Sequence, residues 1–264
     1  MYAFEYQRPT SRDAARAAAG ADARYLAGGQ SLVQAMRLRL SQSERLVDLG
    51  GVADLKGIRA EGNGVAIGAM ATHASVAANA DVRRVLPALA ELAGGIGDPM
   101  VRNMGTLGGS IANADPAACY PAGVVGLNAT IHTDRRTIAA DDFFTGLYET
   151  ALQPGELITH VVFPPAQRAA YVKYKQMASR FALIGVFVAQ TAQGVRVAVT
   201  GARSHVFRAT EIENALGKSF TPDAAKAVKM PTTDINADLH GSAEYRAAMI
   251  SVMASRAVAA ALAR

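Results

Sequence analysis

The chain of 264 residues is half hydrophobic and 19% charged, so general disorder is excluded and the apolar side chains suffice for two compact domains. Its single cysteine, Cys119, excludes an internal disulfide and any four-cysteine zinc or iron–sulfur site in this chain. The net charge of +5 divides into +3 over residues 1–45, −5 over 46–165 and +7 over 166–264. The widely spaced basic residues favour a solvated face or an acidic protein partner over nucleic acid.

The first part of the chain predicts a small β-α-β-α-β unit. Thr10 or Ser11 can cap an alanine-rich helix that ends at Gly20, and a glycine-rich turn at 27–31 precedes a second helix. The predicted strands are residues 4–7, 24–26 and 45–49, and the second helix covers 32–38.

A second unit follows and ends at Pro164-Pro165, since two consecutive prolines cannot donate hydrogen bonds to a sheet. Its first two strands flank the sequence EGNG at 61–64, which tolerates the positive φ of a hairpin turn. The stretch 94–121 has little propensity for regular structure and is predicted to be a long loop. The predicted strands are 55–60, 65–69, 130–133, 137–139 and 157–163, and the predicted helices are 73–79 and 87–93.

The remaining residues predict a different architecture. Three strands in close succession, two of them joined by a turn at Gln193-Gly194, favour an antiparallel sheet, and three helices follow. The strands are 171–176, 183–192 and 195–200, and the helices are 210–216, 222–228 and 243–264. The fold class is therefore α+β, with predicted domains at 1–165, divided into about 1–53 and 54–165, and at 166–264.

No membrane-spanning segment is predicted. The N-terminus lacks an apolar signal core, and the most apolar tract, 181–192, is interrupted by Gly185 and shorter than the roughly 20 residues that a spanning helix needs. We therefore expect a cytoplasmic protein.

Two glycine-rich segments have the chemistry of an anion site: AGGQS at 27–31 and TLGGS at 106–110. Adjacent glycines let the backbone approach a bulky anion, backbone N–H groups can donate to phosphate oxygens, and the serine adds a donor. One glycine pair alone is more typical of a turn, but two such segments favour a dinucleotide or diphosphate ligand. The chain has neither a P-loop nor a Rossmann G-x-G-x-x-G fingerprint, which argues against those two enzyme classes.

The predicted loop at 94–121 is the second feature that indicates function. Long loops in compact domains are usually functional, although a plain surface loop is the alternative. Backbone donors here could bind phosphates, and Asn113 and Asp115 could bind ribose or ribityl hydroxyls. The five histidines are scattered singly, so a structural role is expected for each and no metal site is predicted.

These segments resemble those of a known family, the FAD-binding (medium) subunits of the molybdenum hydroxylases. The molybdenum hydroxylases include carbon monoxide dehydrogenase, xanthine dehydrogenase and aldehyde oxidoreductases. The resemblance covers nearly the whole chain. It is carried by AGGQS at 27–31, MRLRL at 36–40, IGDPMVRNMGTLGGSIANADPAACYPA at 96–122, GELITHVVFP at 155–164 and YKQMASRFALIGV at 174–186. It implies a two-part α/β FAD-binding domain of the PCMH (vanillyl-alcohol-oxidase-like) type, followed by an α+β C-terminal domain of the carbon monoxide dehydrogenase flavoprotein type with an antiparallel sheet and helices.

The resemblance also implies a set of cofactor-binding residues. The two glycine segments would bracket the FAD pyrophosphate, Ile96 and Ile158 would line the flavin and adenine regions, Lys175 would lie near the flavin, and Phe181 would cover its ring. The implied pyrophosphate contacts are Ala27, Gly28, Gly29, Gln30, Ser31, Thr106, Gly108, Gly109 and Ser110. A merely solvated pair remains the alternative for Lys175 and its neighbour Lys173.

Two positions depart from the family pattern. Cys119 stands where the family often has an acidic residue, so a carboxylate contact to the cofactor is missing or is supplied by Asp115. Alternatively, this cysteine is a small residue that only contributes to packing. Phe181 stands where the family often has tyrosine, which removes a hydroxyl. Both changes concern the access of an electron acceptor more than FAD binding.

The resemblance implies an electron-transfer oxidoreductase subunit that binds FAD non-covalently and has no catalytic residue of its own. Hydroxylation would occur at molybdopterin in a large partner subunit, and a small partner would carry the [2Fe-2S] clusters, in a heterotrimer or a dimer of heterotrimers. The alternatives are a stand-alone FAD-dependent oxidoreductase and a non-enzymatic nucleotide-binding module that docks on an acidic protein.

Overall fold

A computed structural model describes residues 1–20 and 22–264. The first unit is the predicted β-α-β-α-β arrangement: β1 (Glu5–Gln7), α1 (Arg12–Ala18), β2 (Ala23–Leu26), α2 (Leu32–Arg37) and β3 (Arg45–Asp48). The three strands form a parallel sheet in the order β1-β3-β2. Ser11 caps α1, since its side chain accepts a hydrogen bond from the Ala14 N–H, so the predicted cap is confirmed for this residue.

The second unit is built around a five-stranded antiparallel sheet. Its elements in chain order are β4 (Ile58–Glu61), β5 (Gly64–Gly68), α3 (His73–Ala78), α4 (Ala80–Val85), α5 (Pro87–Gly94), α6 (Pro99–Met104), α7 (Leu107–Asn113), α8 (Tyr120–Gly126), β6 (Thr130–Thr133), β7 (Thr137–Ala139), α9 (Ala140–Phe143), β8 (Phe144–Gly146), β9 (Glu149–Thr150) and β10 (Ile158–Phe163). The strand order is β4-β5-β10-β6-β7, and β8 and β9 form a separate hairpin.

The third unit is the predicted sheet followed by helices. It comprises β11 (Arg168–Lys175), β12 (Ala182–Thr191), β13 (Gly194–Thr200), β14 (Phe207–Arg208), α10 (Thr210–Lys218), α11 (Pro222–Lys226) and α12 (Ala243–Leu262). Its four strands are antiparallel in sequential order. None of the described helices is long and apolar enough to cross a membrane.

The stretch 94–121 is not the predicted long loop. It contains α6 and α7 and the start of α8, and each of the first two helices begins at a side-chain cap: Asp98 Oδ1 accepts from the Val101 N–H at 2.9 Å, and Thr106 Oγ1 accepts from the Gly109 N–H at 3.1 Å. Asp98-Pro99 is a helix-start signal in the sequence, but its glycine-rich surroundings favoured a loop. Tertiary contacts therefore overrode a low local propensity.

Strand β12 is buried on both faces, which explains its nearly continuous apolar sequence. Phe187 belongs to the core of the second unit, where it contacts the glycine-containing helix α8: a Cβ on Gly126 would lie 2.7 Å from its ring. Val186 and Val188 point to the opposite side, into the core beneath α12. One strand thus contributes to both large apolar cores.

Replacing Phe187 with Ala should lower the free energy of unfolding by about 3–5 kcal/mol, because it removes a fully buried ring between α8 and the sheet. Phe181→Ala is the control, since that ring is 44% exposed and its loss should cost about 0.5 kcal/mol or less. Urea unfolding of the isolated chain measures both. Equal effects for the two variants would contradict this account of the core.

Candidate functional site

A cavity of about 500 Å³ lies where the three units meet. Its wall includes the β2–α2 turn, the start of α7, the first residues of β10 and the tip of the β11–β12 hairpin. Every cofactor-contact residue predicted from the sequence lines it, with the single exception of Lys175. The structure therefore brings together residues that are far apart in the chain.

The first glycine segment touches the backbone at the end of α6, immediately before the second segment. A Cβ on Gly28 would lie 2.0 Å from the carbonyl oxygen of Met104 and 2.7 Å from Gly105 Cα, so only glycine fits at this position. Gly108 is constrained in the same way by Ala69, whose Cβ would lie 2.6 Å away. The sequence suggested that these glycines allow a ligand to approach the backbone. In the structure, the absence of a Cβ allows neighbouring residues of the protein itself to approach.

The two segments differ in the hydrogen-bonding groups that they leave available. In the second segment, the N–H groups of Leu107 and Gly108 donate to the carbonyls of Ala71 and Ala69 at 3.0 and 2.8 Å, and the Gly109 N–H donates to Thr106. In the first, Gly29 adopts a φ of +69°, and within the described chain the N–H groups of residues 28–32 have no acceptor. Among the described residues, the amides of 107–110 are thus bonded within the protein, whereas those of 28–32 are free.

Two serine hydroxyls complete this part of the cavity. Ser31 precedes α2 without capping it, and Ser110 lies in the first turn of α7; both line the cavity. Unpaired amides and hydroxyls on one wall are the donor set that a diphosphate needs, since it carries several acceptor oxygens. The residues present therefore fit a dinucleotide with its diphosphate at the glycine segments.

Lys173, and not the predicted Lys175, contributes an ammonium group to the wall. Lys173 Nζ donates to the carbonyls of Gly95 and Arg180, both at 2.9 Å, and contacts Cys119 Sγ at 3.2 Å. Lys175 is exposed at the end of β11, beyond a register shift after Tyr174. The alternation of strand residues predicted the same face for both lysines, but the register shift removes Lys175 from it.

Cys119 is therefore a packing and hydrogen-bonding partner of Lys173 in this structure. It is 5% exposed and is the N-cap residue of α8.

Asp115 forms local hydrogen bonds, because its Oδ1 accepts from the Ala117 N–H at 2.8 Å, while Oδ2 lies 3.4 Å from the Tyr148 hydroxyl. The carboxylate of Asp115 thus lies at the cavity with one oxygen only weakly bonded.

Phe181 lies at the mouth of the cavity beside Arg180. The bond from Lys173 to the Arg180 carbonyl holds the hairpin tip in place, and Arg180 adopts a positive φ of 62°. The position of the Phe181 ring therefore depends on Lys173 through the adjacent peptide.

Glu156 is a charged wall residue that the sequence did not reveal. Burial by itself would raise its pKa, but hydrogen bonds from Arg136, the Gln153 N–H and Thr133 lower the pKa of Glu156 to about 2. This carboxylate is anionic near neutral pH and already paired with Arg136. It has a structural role at the end of the cavity near Ile158.

His73 is the second wall residue that the sequence did not reveal, since a lone histidine carries no recognisable signal. It is buried, its ring lies 5.3 Å from that of Tyr120, and it lines the cavity beside Gly105. No group of three or more histidine, cysteine or acidic side chains within the described part of the chain is placed to hold a metal ion.

Lys173→Met should lower the free energy of unfolding by about 1–3 kcal/mol, because two carbonyl groups at the cavity lose their donor. Lys175→Met removes the same charge from an exposed position and should change stability by about 0.5 kcal/mol or less. Urea unfolding of the two variants decides between the two lysines. A larger loss for Lys175→Met would contradict the placement of Lys173.

Comparisons with known proteins give a consistent result. Residues 2–166 match the family described as the FAD binding domain in molybdopterin dehydrogenase. The chain is 38% identical to the carbon monoxide dehydrogenase medium chain of Hydrogenophaga pseudoflava, over 99% of this chain and 98% of that one. It is 35% identical to the nicotine 6-hydroxylase medium subunit of Paenarthrobacter nicotinovorans, over 92% and 91% of the two chains. Among solved structures, reconstituted CO dehydrogenase from Oligotropha carboxidovorans superposes with a TM-score of 0.91 at 35% identity, covering 100% of this chain and 99% of that one.

Proposed function

The chain belongs to the FAD-binding family of molybdopterin dehydrogenases, and we propose on that premise that it is the FAD-binding electron-transfer subunit of a heteromeric molybdenum hydroxylase. The observation that carries the proposal is the cavity wall where the unpaired amides of residues 28–32 adjoin the Ser31 and Ser110 hydroxyls. Full-length similarity to medium chains of molybdenum-containing dehydrogenases supports it.

The chain's own residues bind and orient the cofactor. The first glycine segment supplies backbone donors to the diphosphate. The second supplies the Ser110 hydroxyl and the first turn of α7, which Thr106 caps. The proposed diphosphate contacts are Ala27, Gly28, Gly29, Gln30, Ser31, Thr106, Gly108, Gly109 and Ser110. When bound, FAD accepts and passes on electrons, which no side chain of this protein can do.

The remaining wall residues shape the two ends of the cavity. Ile96 and Ile158 offer apolar surface to the ring systems, while Asn113 and Asp115 offer polar atoms to the sugar-like hydroxyls. Phe181 covers the mouth and controls access to the flavin edge. Lys173 takes the place that the sequence indicated for Lys175, and Cys119 orients its ammonium group.

The partners follow from what this chain lacks. One cysteine cannot hold an iron–sulfur cluster, so electrons must arrive from a small [2Fe-2S] subunit, and substrate is hydroxylated at molybdopterin in a large subunit. The proposed assembly is a heterotrimer or a dimer of heterotrimers. A cytoplasmic location is part of the proposal, supported by the absence of paired cysteines.

The proposed domains are an FAD-binding domain at 1–165, with parts at about 1–53 and 54–165, and a C-terminal domain at 166–264. The separate sheets of the three regions support this division. So does the family match, which ends at residue 166.

The isolated chain should bind FAD, and Gly28→Ala should weaken binding at least about tenfold, because the new Cβ collides with the Met104 carbonyl and forces the β2–α2 turn away from the end of α6. Gly217→Ala is the matched control, since a Cβ at Gly217 meets no atom within 4 Å. Flavin fluorescence titration of the apo-protein measures both affinities. Failure of the unmodified chain to bind FAD would refute the proposed function, whereas unchanged binding by Gly28→Ala would refute only the role of the contact.

The isolated FAD-loaded chain should not oxidise aldehydes or purines, because the substrate centre is placed in another subunit. Co-expression with the large and small subunits should give a complex in which substrate reduces the flavin. Anaerobic absorbance spectra of the chain and the complex measure this difference. Reduction of the isolated chain by substrate would instead favour a stand-alone oxidoreductase.

A further inference from the structure

His73 is a buried residue on the cavity wall whose backbone is bonded to Gly105, the residue just before the second glycine segment. It is the first residue of α3 and is 5% exposed. Its backbone N–H donates to the Gly105 carbonyl at 2.9 Å. The residue is thus anchored at the short connection between α6 and α7.

The two ring nitrogens have different surroundings. Nδ1 is buried and has no hydrogen-bond partner among the described residues. Nε2 lies beside Gly105, where an added Cβ would come within 2.5 Å of it, and both His73 and Gly105 line the cavity. The nitrogen that can reach a ligand is therefore Nε2.

The ring is neutral near pH 7. Burial, followed by the nearby Arg102 guanidinium, lowers the pKa of His73 to about 4. The neighbouring phenol of Tyr120 keeps its proton, because burial raises its pKa well above the ordinary value. A neutral imidazole carries a single N–H group, on one of its two nitrogens. No acceptor lies within hydrogen-bond distance of the buried Nδ1 among the described residues, so we place the proton on Nε2.

Nε2 lies close to the contact of Gly28 with Met104 and Gly105, since a Cβ on Gly28 would lie 2.7 Å from Gly105 Cα. We propose that His73 donates a hydrogen bond from Nε2 to an oxygen acceptor of bound FAD beside this contact, an inference that rests on the FAD binding proposed above. His73 is then a cofactor-positioning residue with a defined tautomer.

Substitution at His73 tests the donor directly. His73→Leu removes the N–H and should raise the FAD dissociation constant about 10- to 100-fold, while His73→Gln, whose side-chain amide can replace Nε2–H, should restore most of the affinity. His132→Leu is the matched control, because this half-buried histidine lies on β6 outside the cavity. Fluorescence titration of the apo-proteins supplies the affinities.

The outcomes separate this inference from the proposed function. If the unmodified chain fails to bind FAD, the proposed function is wrong; if it binds and His73→Leu binds equally well, only the role of His73 is wrong. A glutamine variant as weak as the leucine variant would indicate packing and would also overturn the donor role.

A measurement on the unmodified chain avoids any folding defect of the variants. Imidazole ¹⁵N resonances of the histidine-labelled apo-protein should show His73 protonated at Nε2 alone, with that signal shifting when FAD is added. Protonation at Nδ1, or an Nε2 signal that FAD leaves unchanged, would overturn the proposal.

Discussion

The backbone contact between Gly28 and Met104 sets the geometry on which the rest of the site depends. With a Cβ excluded at 2.0 Å, the β2–α2 turn can lie directly against the end of α6, and Gly108 allows α7 to approach Ala69 in the same way. These contacts place the first turn of α2 and the first turn of α7 on a common wall. Because no side chain intervenes, no rotamer change can alter the spacing.

Two of the charged groups on this wall, Glu156 and Lys173, are already bonded within the protein. Glu156 is bonded to Arg136, and Lys173 donates to two carbonyls. At the glycine segments, an anionic ligand would meet oriented amide and hydroxyl dipoles, which are fixed before the ligand arrives. Such a site avoids the cost of reorienting long flexible side chains on binding.

Local patterns in the sequence predicted much of the fold. Alternating or continuous apolar runs located the strands of the three larger sheets except β14, and the glycine segments together with the family resemblance located the cavity. The helices within 94–121 were missed because α6 is short and flanked by glycines and α7 contains two of them, and their stability comes from packing and caps such as Asp98. Local patterns carry no information about such tertiary support.

The side chains that were misplaced or missed have a common physical reason. The family resemblance indicated Lys175, but a register shift in β11, which is a property of the paired strands and not of the sequence, leaves Lys173 at the cavity instead. Glu156 and His73 acquire their roles from distant neighbours, Arg136 in one case and Gly105 in the other. Long-range contacts of this kind also include the ion pairs that Asp141 forms with Arg196 and Arg208.

The two-sided burial of β12 limits how this protein can be divided. Phe187 completes the core that encloses α8, although the strand lies in the C-terminal sheet. A truncated chain ending before this sheet would leave Leu89, Leu92 and the glycines of α8 facing water, an apolar surface that invites aggregation. The cofactor-binding region is therefore not a transferable module, and gene fusions or domain exchanges must carry both regions together.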